Sequence, residues 1–287
     1  MTEHTTAGPV AVIGLGMMGA AIADKLIDWA GGLRVCDIND DAVSAFTDKG
    51  ATGFSKAGEA ARGAAVVSIV VLNDEQVREV VSTIMQTPTA GQVIAVHSTI
   101  HPQTAIDLAK VCATQDILLV DAPVSGGAIA ATEGRLALMI GGTEEAYDAV
   151  REPFSTFGEL LVHAGPVGAG TKMKLARNLL HFISFTAVTE SQRLAEAAGV
   201  SLVDLGKVVR HTDALTGGAG SIMLRDTAAP IAPDDFWHGV FTHVRNLGEK
   251  DLSLALALGD ELEVALPLTA LAYDNLGIGL GVGAGHE

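Results

Sequence analysis

Cations are scarce in this chain. Lys and Arg number 18 against 34 Asp and Glu, a formal charge of −16, and so acidic a protein has little from which to build the basic footprint that nucleic acid or an anionic membrane requires. A small anionic ligand needs only a local cationic pocket and stays open. Cysteine is nearly absent too. Cys36, in an apolar strand-like run, and Cys112, near a helix end, offer no disulfide framework and suit a reducing compartment, with both thiols expected to be buried and inert. Long apolar runs are missing as well: the longest, Ala64 to Leu72, is too short to cross a bilayer. The opening MTEHTTAGPV has neither the cationic start nor the apolar core of a signal peptide, so the expected location is the cytoplasm. No internal repeat is visible. The glycine-rich GIGLGVGAGHE near the C-terminus reads as a frayed or packed tail rather than a membrane segment. With 287 residues, 48% of them apolar and only 18% charged, the chain is a well-buried globular protein of one large or two ordinary domains.

From Val10 to about His163, short runs rich in Val, Ile and Leu (VAVI, LRVC, VVSIVVL, VIAV, ILLV, LALMI) alternate with helical patterns (GMMGAAIADKLIDWA, DDAVSAFTDKG, NDEQVREVVSTIM, PQTAIDLAKVC). That alternation predicts βαβ units and a mostly parallel sheet. After the turn GPVGAG the character changes. Thr171 to Ala198 is one long helical pattern without proline, and the rest is expected to be all helix, punctuated by Gly199, the TGGAG stretch at 216–220, and Pro230 to Pro233. The expected division is 1–164 for the sheet domain and 165–287 for an all-helical domain that includes the long interdomain helix. A cleft between the two is where a ligand is expected.

Gly14, Leu15, Gly16, Met17, Met18 and Gly19 form GLGMMG directly after VAVI and at the start of a helix, the context that makes a G-x-G-x-x-G motif specific. The first two glycines permit a tight turn and close approach of backbone to pyrophosphate. The third lets helix and strand pack closely, and the helix N-terminus turns its N–H groups toward the phosphates. The fold class is therefore α/β, a Rossmann-type doubly wound, mostly parallel sheet followed by a long connecting helix and an all-α C-terminal domain. In LRVCDIND, Asp37 lies 18 residues past Gly19, where a carboxylate can accept both ribose hydroxyls of adenosine and repel a 2'-phosphate. Ile38, Asn39, Asp40 and Asp41 offer no cation for such a phosphate, so the expected cofactor is NAD. Asn39 and Asp40 are better placed than Asp37 to cap the following helix, and strand alternation points Arg34 to the opposite face.

DAPVSGG, Asp121 to Gly127, follows ILLV and sets Ser125, Gly126 and Gly127 at a strand's C-terminal edge. Such a turn can cradle a carboxylate with a hydroxyl and backbone N–H groups. An ordinary tight turn has the same composition, and the residues alone do not choose. Farther on, GPVGAGTKMKLARN carries two lysines near a helix N-terminus, where the macrodipole disfavours cations. Lys174 and Asn178 are i and i+4, on one helix face. Lys172 is about 200° around the helix from Lys174, so both cannot point into one cleft. Partial desolvation near a helix N-terminus lowers a lysine pKa, as a general base working near neutrality requires.

Together GLGMMG, DAPVSGG, the G-x-x-G-x-G-x-x-x-K-x-x-x-N pattern from Gly165 to Asn178, and EKDLSLAL from Glu249 to Leu256 resemble the β-hydroxyacid dehydrogenase family, 3-hydroxyisobutyrate dehydrogenase-like, with 6-phosphogluconate dehydrogenase more distant. The resemblance covers almost the whole chain. It implies Lys174 as catalytic acid/base, Asn178 as a residue that holds the substrate, and Ser125, Gly126 and Gly127 on the substrate carboxylate. It also implies that Lys250 reaches the nicotinamide or substrate, and that Thr99 and Leu72 border the nicotinamide. Lys250 beside Asp251 also fits an exposed charged turn, and Thr99 a strand-end cap. Val96 stands where many relatives carry an acidic residue, Arg177 where many have a first asparagine, and FWHGVFTHVRNLGEKDL, with Trp237, His238 and His243, departs from the common dehydrogenases. These departures bear on the substrate more than on the reaction. His97 and His101 are four apart but straddle a strand end before Pro102, so no metal is expected. The expected reaction is hydride transfer between NAD and a small 3-hydroxy carboxylate or its semialdehyde, in a homodimer or higher homo-oligomer. Two rivals are an imine reductase, in which another residue such as Asp or Tyr typically replaces the lysine, and a non-catalytic dinucleotide-sensing module.

Overall fold

The structure is a computed structural model and describes residues 8–283 and residue 285. The first seven residues and positions 284, 286 and 287, on which the leader and tail readings partly fall, lie outside the described residues. Contacts group the chain into two compact units, Met1–Arg177 and Asn178–Glu287.

In the first unit the elements run β1 (Val10–Ile13), α1 (Met17–Lys25), β2 (Leu33–Cys36), α2 (Asp40–Thr47), β3 (Thr52–Phe54), α3 (Ala57–Ala61), β4 (Val66–Ile69), α4 (Asp74–Ile84), β5 (Val93–Val96), α5 (Pro102–Ala113) and β6 (Leu118–Asp121). They continue as β7 (Val124–Ser125), α6 (Gly127–Glu133), β8 (Leu136–Gly141), α7 (Glu144–Phe154), β9 (Gly158–Gly165) and the start of α8 (Ala169–Ala197). The sheet order is β3-β2-β1-β4-β5-β6-β8-β7, with β9 on β8. From β3 to β6 every pairing is parallel, β8 is antiparallel to β6 and β7, and β9 is parallel to β8. The order reverses between β1 and β4, and in open α/β sheets ligands bind beyond the strand ends at such a reversal.

Helices cover both faces, so β1, β4 and β5 are buried at every residue and read as unbroken apolar runs. Alternation along β1 sends Val10 and Val12 into one core with Ile22, Leu26, Phe154 and Phe157, and Ala11 and Ile13 into another with Val67, Ile69, Val77 and Ile94. Six elements of this unit go beyond the sequence expectation: β3, β7, β9, α3, α6 and α7. The strand expected over VVSIVVL stops at Ile69, which frees Val70, Val71 and Leu72 to leave the sheet edge.

Among the described residues the regular elements of the second unit are all helices: the remainder of α8, α9 (Leu202–Thr216), a 3-10 turn (Gly218–Ile222), α10 (Phe236–Glu261) and α11 (Pro267–Leu280), with 223–235 an irregular connection. The Glu190 carboxylate on α8 ties the start of α11, accepting from Leu268 N at 2.8 Å, Thr269 N at 2.9 Å and Thr269 Oγ1 at 2.7 Å. Its apolar core is small, Ile231, Phe241 and Leu280 with Trp237, Val244, Leu276 and Val282 against them.

Candidate active site

The turn after β1 has the geometry a dinucleotide requires. Gly14 adopts a left-handed φ of 93°, and a Cβ there would collide with the carbonyl of Val70. A Cβ on Gly19 would strike the carbonyl of Gly14, whereas the space around Gly16 is open. The helix thus packs onto the strand where only glycine fits, and backbone faces a void where a phosphate can approach. Gly16 begins α1 without a side-chain cap, so the first-turn N–H groups of that helix have no competing side-chain partner there.

That void is the end of a cavity of about 580 Å³ whose lining includes Gly14, Gly16, Asp37, Ile38, Val71 and Leu72. Asp37 closes the turn. Its Oδ2 accepts from Leu15 N at 2.5 Å and its Oδ1 from Asn39 N at 2.8 Å. An ionised carboxylate has about four acceptor sites, which leaves room for ribose hydroxyls. Asn39, not Asp37, caps α2, through Asn39 Oδ1 accepting from Asp41 N. Arg34 reaches the carbonyls of Ala60 and Arg62. The residues present therefore fit an adenosine dinucleotide. Beyond the sequence reading, the wall also holds Ser55 and Lys56 from the β3–α3 junction and Gln76, Glu79, Val80 and Thr83 from α4. The cation absent after Asp37 in sequence is thus present in space, with Lys56 3.7 Å from Glu59. Chain topology brings these residues in, and no local signal marks them.

The second cluster lies where β6 ends. Asp121 is 1% exposed and accepts from Gly168 N and Thr171 N, each at 2.6 Å. Burial pushes its carboxyl above the usual range, and the two amides pull it back. Three residues on, the Val124 carbonyl accepts from Lys174 Nζ at 2.6 Å. Lys174 is half-buried, and its pKa is lowered first by desolvation and then by the Arg177 charge. Lys172 is exposed. Lys174 is therefore joined to the DAPVSGG turn next to Ser125, which is half-buried at the end of β7, with Gly126 and Gly127 exposed behind it.

The remaining expected residues scatter. Leu15 is buried in the core, Met18 packs against it and Met17 is 79% exposed. Thr99 is exposed between β5 and α5. Asn178 and Lys250 belong to the second unit, where Lys250 pairs with Asp251 at 3.0 Å. His97 is buried, its Nδ1 2.8 Å from the Ala122 carbonyl and its Nε2 3.0 Å from Ser68 Oγ. His101 caps α5. Among the described residues no group of three or more His, Cys, Asp or Glu side chains could hold a metal ion, and no helix is long and apolar enough to cross a membrane. Both cysteines are buried, and burial foremost pushes each thiol up to about 11.

Residues 9–165 match the family model for the NAD-binding domain of 6-phosphogluconate dehydrogenase, and residues 168–281 match that for the NAD-binding region of NADP-dependent 3-hydroxyisobutyrate dehydrogenase. An oxidoreductase of Mycobacterium tuberculosis without an assigned substrate is 50% identical over 98% of this chain and 96% of its own. The 3-hydroxyisobutyrate dehydrogenase of Pseudomonas aeruginosa is 30% identical over 97% and 94%. The crystal structure of an oxidoreductase from Mycobacterium avium superposes with a TM-score of 0.91 at 50% identity, covering 95% of this chain and 98% of that one.

Proposed function

Because the chain belongs to the 3-hydroxyisobutyrate dehydrogenase-like β-hydroxyacid dehydrogenases, NAD(P)-dependent oxidoreductases of hydroxyacids, we propose that it moves a hydride between NAD and a small 3-hydroxy carboxylate, of the 3-hydroxyisobutyrate kind, or its semialdehyde. The observation that carries this reading is the Lys174 Nζ bond to the Val124 carbonyl, which brings a partly desolvated amine to the turn bearing Ser125.

In the oxidative direction Lys174, as the free amine, takes the substrate hydroxyl proton while hydride leaves the adjacent carbon. In reverse the ammonium returns that proton to the forming alkoxide. Asn178 orients the hydroxyl, and Ser125 with the backbone of Gly126 and Gly127 holds the carboxylate. Bound NAD would supply the hydride acceptor, and its reduced form the hydride donor. Gly14, Leu15, Gly16, Met17, Met18 and Gly19 would cradle the pyrophosphate, Asp37 would take the adenosine ribose, Leu72 and Thr99 would border the nicotinamide, and Lys250 would bind the nicotinamide or the substrate. This reading assigns 1–164 to the dinucleotide and 165–287 to substrate and dimer contacts, and it places the enzyme in the cytoplasm. NAD rather than NADP follows from the Asp37 carboxylate, which repels a 2'-phosphate. The test is a panel of 3-hydroxy acids and semialdehydes followed by absorbance of the reduced nicotinamide. No turnover with any of them despite tight NAD binding would sink the reading and favour imine reduction or sensing.

A homodimer or higher state belongs to the same proposal. Phe182, Phe185, Val203, Leu215, Leu254 and Leu271 of the second unit are each more than half exposed, and large exposed apolar side chains are what an association surface covers where they lie together. Light scattering at micromolar concentration is expected to give a multiple of 29.4 kDa, and the monomer mass would remove this part.

A further inference from the structure

The buried Asp121 has no part in the reaction as described, yet everything around it converges on the helix that carries Lys174. Both its oxygens are taken by N–H groups at the entry to α8, those of Gly168, just ahead of the helix, and Thr171 in its first turn, each at 2.6 Å. Those amides are among the ones a helix N-terminus leaves without intrahelical partners, and here the partner comes from another element 47 to 50 positions earlier in the chain. The packing is as tight as the bonding. A Cβ on Gly141, at the end of β8, would run into Asp121 Oδ1, and one on Gly170 into the carbonyls of Met139 and Asp121. The start of α8 is therefore pressed onto the ends of β6 and β8 at glycines, with a charged clamp across the contact. Thr171 and Lys174 are one turn apart on α8, and Lys174 Nζ then meets Val124, three residues past Asp121 on the same β6–β7 segment.

We propose that Asp121 is a positioning residue for Lys174: its carboxylate fixes the height and rotation of α8, so that the amine stands on the Val124 carbonyl beside Ser125. A short bidentate clamp suits this task because charge-assisted N–H bonds are directional and strong. A helix shifted by a fraction of an ångström would carry the amine away from its partner, and reactive groups misplaced by about 1 Å lose on the order of 100-fold in rate. The proposal rests on Lys174 as the acid/base, and its test separates the two.

The experiment uses Asp121→Asn, which keeps shape and one acceptor oxygen but sets an NH2 group against one of the two amides. Turnover at saturating cofactor and substrate is expected to fall about 10- to 100-fold with the KM for cofactor unchanged. In a Lys174→Ala background the same substitution is expected to cost less than twofold. Trace acetylation with acetic anhydride, read by mass spectrometry, is expected to raise labelling of Lys174 severalfold in Asp121→Asn while Lys172, two residues away, stays constant as an internal reference. An equal loss of turnover in both backgrounds, with the Lys174-to-Lys172 labelling ratio unchanged, would overturn the proposal and leave Asp121 a stability residue. If Lys174→Ala alone retains full turnover, the acid/base reading fails, and the labelling ratio still decides whether Asp121 positions the lysine. Should Asp121→Asn not fold, Asp121→Glu keeps the charge on an arm longer by one methylene, and the same ratio is read there.

Discussion

Lys174 Nζ lies 2.6 Å from the carbonyl oxygen of Val124, so a lysine of the long helix and the segment carrying Ser125 share a single hydrogen bond. The bond aims the side chain toward the β6–β7 turn, and Lys172, two residues earlier, stays in solvent. Lys174→Ala is expected to lower turnover by about two to four orders of magnitude, the scale of a lost general acid/base, while NAD binding measured by fluorescence titration persists. Lys172→Ala is expected to do far less. A larger effect at Lys172 would reverse the assignment of the two lysines.

The environment of that amine also sets a pH dependence. Desolvation lowers the Lys174 pKa, and the Arg177 cation lowers it further. With Lys174 as the proposed base, oxidation needs the free amine, so the acid limb of kcat/KM is expected to fall away as pH drops through that pKa. Arg177→Gln removes the like charge, raises the pKa, and is expected to move the acid limb to higher pH. An unmoved limb, or one displaced to lower pH, would dissociate Arg177 from the titration.

His97 is expected to act on stability rather than on rate. Its ring is fixed between Ser68 Oγ and the Ala122 carbonyl and lies against Phe154 and Phe157. Burial lowers its pKa from 6.5 to about 4. Between those values the unfolded chain binds a proton that the folded one refuses, so stability rises with pH through this window and is lost as pH falls from about 6.5 toward 4. The full span is on the order of 3 kcal/mol. His97→Gln is expected to be less stable than wild type at pH 7.5 by about 1–3 kcal/mol but to lose less between pH 6.5 and 4.5. Urea midpoints at several pH values decide it, and parallel curves for the two proteins would exclude His97 as the source.

What the sequence displays of this fold follows burial. β1, β2, β4, β5 and β6 show as apolar runs because helices cover both of their faces, and α2 and α4 show because Asn39 and Asn73 cap them. The hidden elements lack those marks. β3 is three residues with Gly53 in the middle, β7 is two residues, β9 is mostly exposed or half-buried without a regular alternation, and α7 has Pro153 inside it. The site divides in the same way. Gly14, Gly16, Asp37 and Leu72 are local signals that meet on one cavity, whereas Lys56, Glu79 and Thr83 join them only through the strand order. Asp121 is visible inside DAPVSGG, but its partners Gly168 and Thr171 are not, because only the folded sheet brings the start of α8 to the end of β6.

The proposed preference for NAD rests on one carboxylate, and the structure changes how it is best tested. Asp37 holds the Leu15 amide as well as facing the cavity, so replacing it loosens the glycine turn and weakens either cofactor. Ile38 lies on the same wall, fully exposed, so Ile38→Arg adds a guanidinium suited to phosphate without disturbing the core. Ile38→Arg alone is expected to raise kcat/KM with NADP and leave NAD nearly unchanged. Combining it with Asp37→Ser removes the repulsion and is expected to reverse the preference if each change contributes about 1.5 to 3 kcal/mol, with a lower absolute efficiency because the Leu15 contact is lost. The measurement is kcat/KM for both cofactors at one saturating substrate concentration, in wild type and both variants. Lys56 supplies the opposing outcome: it is a cation on the same cavity wall, and a wild type that already prefers NADP, and loses that preference in Lys56→Ala, would show that this lysine outweighs the repulsion from Asp37.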